Sequence, residues 1–82
     1  MVTIFRSAGL RIVIFTNDHH PAHVHVFGDG QVKINLIGRN GRPELISAEA
    51  MTAGDIRRAM RLVQDNLALL QERWEAIHGL CH

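Results

Sequence analysis

The sequence predicts an α+β domain: an antiparallel meander of about four strands with one long C-terminal helix packed on one face. Three observations predict it. Between Ala22 and Ile37, apolar and polar residues alternate with period two on either side of Gly28-Asp29-Gly30, as in two strands joined by a turn. Leu10 to Thr16 is a run of β-branched and aromatic residues, too apolar for a strand with a fully wet face. From Ala53 to His78 there is no proline, and Ile56, Met60, Val63, Leu67, Leu70, Trp74 and Ile77 recur at alternating spacings of 4 and 3. That is the apolar stripe of a helix. Eighty-two residues form one domain, 1–82, and leave no room for two.

Val2 to Arg6 reads as a short strand, and Ser7-Ala8-Gly9 as the turn after it. After Thr16, Asn17 and Asp18 are turn formers, and Pro21 keeps His20 out of helical backbone space. Residues 17–21 are therefore expected to form a shaped loop. In the strand Ala22 to Phe27, alternation puts His23 and His25 on one face.

The register of the following hairpin is set by the need to sort apolar from polar side chains. A two-residue Asp29-Gly30 loop would mix the faces. A three-residue loop with Gly30 in a left-handed conformation pairs Val26 with Val32, Val24 with Ile34 and His25 with Lys33. His23, His25, Lys33 and Asn35 then share one face. Asn40-Gly41 is the strongest tight-turn signal. Pairing across it joins Leu36 to Leu45, Ile34 to Ser47 and Ile37 to Glu44. The last strand, Pro43 to about Ala48, is expected at an edge because proline cannot donate to the ladder.

Thr52 is placed to cap the helix, with Asp55 favourable to its dipole and Gly79 to end it. The stripe is widened on one side by Leu62 and Leu69. A helix of about 26 residues is ~39 Å long, whereas a six-residue strand covers only ~20 Å. Part of the stripe is expected to overhang the sheet, which makes Trp74 and Ile77 candidates for a dimer or partner interface.

The formal charge of +1, from nine Lys+Arg and eight Asp+Glu, is not the footprint of a nucleic-acid-binding protein. Residues 1–45 are mildly basic, with Arg6, Arg11, Lys33, Arg39 and Arg42 against Asp18, Asp29 and Glu44. Arg57, Arg58 and Arg61 read as the solvated face of the helix. The lone Cys81 has no disulfide partner and is expected to be an exposed thiol. His78 and His82 suit the negative end of a helix. No signal peptide is read at the start, and no apolar run approaches the ~18 residues of a membrane span. A cytoplasmic location is expected.

Four of the six histidines lie between His19 and His25, beside Asp18 and Pro21. Two histidines at i and i+2 on a strand point the same way, so His23 and His25 form a candidate site for a divalent metal such as zinc, with Asp18 or His19 completing the shell. Imidazole is equally a general base, general acid or nucleophile near neutral pH, making Asp18, His19, His23 and His25 candidate catalytic residues in phosphodiester cleavage. Lys33 and Asn35 are candidate binding residues, with Lys33 stabilising charge. A face of this composition also suits a protein partner or a phosphate backbone, although Phe27 is the only ring nearby for base stacking. The structural alternative has Asp18 and His19 bracing the loop by side-chain-to-backbone hydrogen bonds, with His23 and His25 as wet strand positions. His23-Val24-His25-Val26-Phe27 resembles the strand of the histidine-triad nucleotide hydrolases, but Phe27 stands where those enzymes have a third histidine.

Asn17-Asp18-His19-x-Pro21-x-His23-x-His25, after an apolar strand and before a glycine turn, resembles the signature of a family of small bacterial proteins. That family is known only as domain of unknown function number forty-one sixty. The layout of strand pair, histidine motif, hairpin and C-terminal helix ending near a tryptophan is similar over nearly the whole chain. Ala22 stands where a second proline is common, and Val24 where an aromatic is frequent. Neither departure removes a polar group. The resemblance implies a small bacterial protein, plausible as the toxin-like member of a toxin–antitoxin-like pair acting through its histidine-rich surface with a small cognate partner. The alternatives are a histidine- or metal-dependent phosphodiester hydrolase, and a non-catalytic module that forms a homodimer through its helix.

Overall fold

Residues 2–79 are described by a computed structural model. The expected exposed thiol of Cys81 and the helix-end position of His82 lie outside the described residues. Among the described residues five segments form strands, β1 (Val2–Ser7), β2 (Leu10–Ile14), β3 (His23–Phe27), β4 (Gln31–Asn35) and β5 (Glu44–Glu49), in one antiparallel meander of order β1-β2-β3-β4-β5. This corrects the expected count of about four: the short first segment is a full member of the sheet. It pairs with β2 through the two-residue turn Ala8-Gly9, whose positive φ values of 51° and 79° match the twist of a hairpin.

The β3–β4 hairpin has the register that sorts the faces, with Val26 opposite Val32, Val24 opposite Ile34 and His25 opposite Lys33. Gly30 is not in the left-handed region. It is required by close approach instead, because a Cβ there would lie 1.9 Å from the Glu49 carbonyl oxygen. The β4–β5 register differs from expectation: Ile34 faces Leu45, Asn35 faces Glu44, and an irregularity falls between Lys33 and Ile34. The Leu36 N–H donates to the Ala22 carbonyl, which holds Leu36 against β3 and in the core. The chain then turns more widely than a two-residue loop, closed by Gly38 N–H to the Arg42 carbonyl. Ile37 is left 57% exposed.

The single long helix is also corrected. Helix α1 (Ala53–Asp65) and helix α2 (Leu67–His78) are separated at Asn66, whose φ of −118° and ψ of 21° leave the helical region. The Asn66 side chain donates to the Leu62 carbonyl at 2.8 Å, satisfying a backbone acceptor near the break. Asparagine competes with the helix ladder in this way. An unbroken helix of ~39 Å would outrun a molecule whose longest extent is 36 Å. With the break, the distal stripe stays on the body of the protein. The Thr52 cap is as expected, its Oγ accepting from Asp55 N–H at 3.1 Å, and Gly79 ends α2 at φ 78°.

Leu10, Ile12, Ile14, Val24, Val26, Val32, Ile34 and Leu36 form the covered face of the sheet and pack with Ala59 and Val63 of α1 and Leu70 and Trp74 of α2. The predicted stripe is therefore the core seam, except that Leu69 is 37% exposed. Trp74 is 2% exposed and Ile77 packs against the same core. The expected overhang is corrected accordingly: Trp74 lies in the core, and Ile77, partly buried, packs against it. Strand alternation puts Arg11, Val13, His25, Phe27 and Lys33 on the opposite face, which neither helix covers.

Candidate functional site

The loop between β2 and β3 turns back at once, Asp18 N–H donating to the Phe15 carbonyl at 3.2 Å. It passes through a cis His20–Pro21 peptide and delivers the Asp18 carboxylate over the first residues of β3. Asp18 Oδ2 lies 3.1 Å from His23 Nε2 and 3.6 Å from His25 Nε2. The two imidazoles point to the same side of β3, with ring centroids 5.3 Å apart, His23 buried at the strand end beside α2 and His25 half-buried further along.

The protons on these groups can be assigned from their partners. His23 Nδ1 is 2.9 Å from the Pro21 carbonyl oxygen. A carbonyl only accepts, so Nδ1 carries the hydrogen and the neutral ring has its lone pair on Nε2. That lone pair sits beside a carboxylate oxygen. Two acceptors at 3.1 Å repel each other unless a cation, either a proton or a metal ion, is shared between them. Asp18 Oδ2 and His25 Nε2 are both buried and have no hydrogen-bond partner among the described residues. Burial pushes His25 below its ordinary pKa, opposed by the Asp18 charge and reinforced by His23 and Lys33.

A metal fits this arrangement. One ligand atom from each of Asp18, His23 and His25 lies within 4.8 Å of the other two. Ligand bonds of about 2.0–2.1 Å in a tetrahedral site put neighbouring donors roughly 3.3–3.4 Å apart. The observed 3.1 and 3.6 Å bracket that value. The Pro21 carbonyl plays the orienting part that a metal-bound histidine usually requires of a second partner.

The surroundings are apolar on two sides. Phe15 meets His25 edge-on at 4.7 Å, and Trp74 lies 5.2 Å from His23, centroid to centroid. Trp74 also stacks on His78 at 3.8 Å and contacts His20 at 5.5 Å. On the third side a cavity of about 100 Å³ is lined by His25, Gln31, Lys33, Ser47 and Glu49.

Of the residues singled out from the sequence, Asp18, His23 and His25 converge and Lys33 stands across from His25. Asn35 pairs with His23 across the hairpin. His19 is exposed and is not one of the three converging groups. Sequence reasoning missed the Pro21 carbonyl and the Trp74 wall. The spacing of Pro21 two residues before His23 was a usable signal for the first. Nothing local signalled the second, because Trp74 and His23 are 51 positions apart in the chain.

A family model described as a domain of unknown function (DUF4160) matches residues 9–75. The matched span contains Asp18, His23, His25 and Trp74 together. No curated protein and no solved structure matches the chain.

Proposed function

The chain belongs to the DUF4160 family, and from that premise we propose that it is a divalent-metal-dependent phosphodiester hydrolase with Asp18, His23 and His25 as its ligands. The observation that carries this reading is the buried Asp18 Oδ2, close to two imidazole nitrogens yet hydrogen-bonded by neither. Two histidines and a carboxylate are a ligand set used by hydrolytic zinc sites, which keep a further position open for water or substrate. A divalent metal held by Asp18, His23 and His25 would supply Lewis-acid polarisation and would acidify a bound water.

The protein's own residues do the rest. Pro21 fixes the His23 tautomer so that Nε2 faces the site, and Phe15 and Trp74 keep water from two flanks. Lys33 stands beside His25, where its ammonium would meet the phosphoryl oxygens as negative charge builds on them.

A toxin-like role, implied by resemblance, follows naturally for an enzyme that cuts phosphodiesters, and growth arrest on expression that is abolished by His25→Ala tests it. The chemistry itself is tested on protein purified without a histidine tag and stripped with chelator. Calorimetric titration with zinc, manganese and nickel should show one equivalent bound by at least one of them. The loaded protein should hydrolyse bis(p-nitrophenyl) phosphate. Failure of all three metals to bind stoichiometrically removes the proposal.

A further inference from the structure

The uncovered face of the sheet carries side chains that the metal centre does not use. Phe27 lies beside His25 with rings nearly parallel, 22° apart at 6.5 Å, and Phe15 stands edge-on to both. Both phenylalanines are half-buried. Arg11 sits opposite Phe27 in the ladder with its guanidinium over the ring face, 5.3 Å from the centroid, so that the cation and the ring form one surface. Arg6 is opposite Arg11 on β1, which puts both arginines on this face, and Lys33 is opposite His25 on the other side.

None of the ion pairs among the described residues involves Arg6, Arg11 or Lys33, and Arg11 Nε is buried without an acceptor. The carboxylates of this face sit mainly on the far strand, where Glu49 accepts from the Gln31 side chain at 3.3 Å. The net charge of the chain conceals this separation. Antiparallel pairing gathers cations and two half-buried phenylalanines over β1 to β4 and leaves Glu44 and Glu49 at the β5 edge.

From this juxtaposition we infer that the open face binds single-stranded nucleic acid, with bases stacked on Phe27 and Phe15 and phosphates met by Arg6, Arg11 and Lys33. The inference rests on the hydrolase reading for its place in the chemistry, since it names the substrate class of that centre. A stacking platform accepts any base because every base has a π face, and a cationic rim tracks the backbone. A duplex hides its base faces. A strand laid across Phe27 passes directly beside His25, bringing a phosphodiester to the Asp18, His23 and His25 cluster.

The test measures fluorescence anisotropy of labelled oligouridylate, oligothymidylate and a duplex of matched length, with chelator present so that no metal contributes. Single strands should bind and the duplex should bind more weakly. Preference for oligouridylate assigns the ligand as RNA, and preference for oligothymidylate as DNA. Phe27→Leu, which keeps an apolar side chain but loses the stacking ring, should weaken binding roughly 5- to 150-fold. Arg11→Gln, which neutralises one phosphate fewer, should flatten the slope of log K against log salt by about 0.7. Circular dichroism on each variant separates a binding defect from a folding defect.

No binding of either single strand at about 50 mM salt, equal binding of duplex, or a folded Phe27→Leu variant that binds as wild type each overturns the inference. The two readings fail separately. Oligonucleotide binding in chelator with no metal uptake leaves the platform and removes the hydrolase. Metal uptake and cleavage of a small phosphodiester, with no oligonucleotide bound, does the reverse.

Discussion

Asp18→Asn separates a metal site from a structural ion pair. Asparagine keeps the volume and one oxygen of aspartate but loses the charge and gains an N–H donor. In the wild-type protein the Asp18 oxygen facing His23 and His25 makes no hydrogen bond, so removing its charge forfeits little in the metal-free state. Metal-free Asp18→Asn should therefore melt within about 1 kcal/mol of wild type. The metal-bound state should respond differently. At 100-fold excess over Kd, zinc stabilises a folded protein by about 2.7 kcal/mol. For a domain of this size each kcal/mol moves the midpoint by about 4–8 °C, so wild type should gain ~11–22 °C. Loss of a ligand should lower affinity at least as much as loss of a supporting partner, which reaches about 100-fold. At the same zinc concentration the variant then keeps only RT ln 2, about 0.4 kcal/mol, a rise of about 2–3 °C. Differential scanning fluorimetry with and without zinc reads both quantities. If Asp18 instead braces charged histidines as framework, its loss costs about 1.5–3 kcal/mol without metal and wild type shows no zinc shift. That pair of results would refute the reasoning.

Three further outcomes are expected. Trp74→Ala should destabilise by about 3–5 kcal/mol, the range for truncating a buried aromatic, with Trp74→Phe losing much less. A Trp74→Ala variant that changes sedimenting mass while keeping its melting temperature would return Trp74 to a surface role. Because the folded pKa of His25 lies below the ordinary 6.5, the unfolded chain binds more protons between the two values, and stability rises with pH across that window. This contribution is complete above 6.5 and is lost as the metal-free protein is acidified from 6.5 toward the folded pKa. Asp18, His23 and Lys33 face the same ring and set the size of the effect, and His25→Gln should flatten the urea-derived profile there. Gly30→Ala should cost several kcal/mol in chemical denaturation, because its Cβ would fall 1.9 Å from the Glu49 carbonyl oxygen and a backbone atom cannot move aside cheaply.

The parts of the fold legible in the sequence were those fixed by neighbours in the chain. The β3–β4 register followed from one short loop and the demand that Val24, Val26, Val32 and Ile34 share a face. The β4–β5 register did not follow. Asn40-Gly41 signals a tight turn locally, but Leu36 is held by the Ala22 carbonyl, a partner 14 positions away in sequence. The seam of α1 and α2 was legible and the break at Asn66 was not, because the 4 and 3 spacing runs through it without glycine or proline. The site shows the same division. His23 and His25 were paired by strand alternation, and Asp18 was one of two companions proposed for them. Its choice over His19 depends on the path of a loop through space.

The interruption at Asn66 also divides the protection of the backbone. With the helical ladder cut there, α1 and α2 are separate cooperative stretches, each too short to hold its hydrogen bonds in water without the sheet beneath. The stretch carrying Trp74 is then expected to open separately from α1, so that the amides of residues 70–78 have their own opening free energy. Native-state hydrogen exchange should show this as two sets of protection factors on what the seam presents as one continuous helix. Filling the centre beside His23 should slow exchange in the second set first.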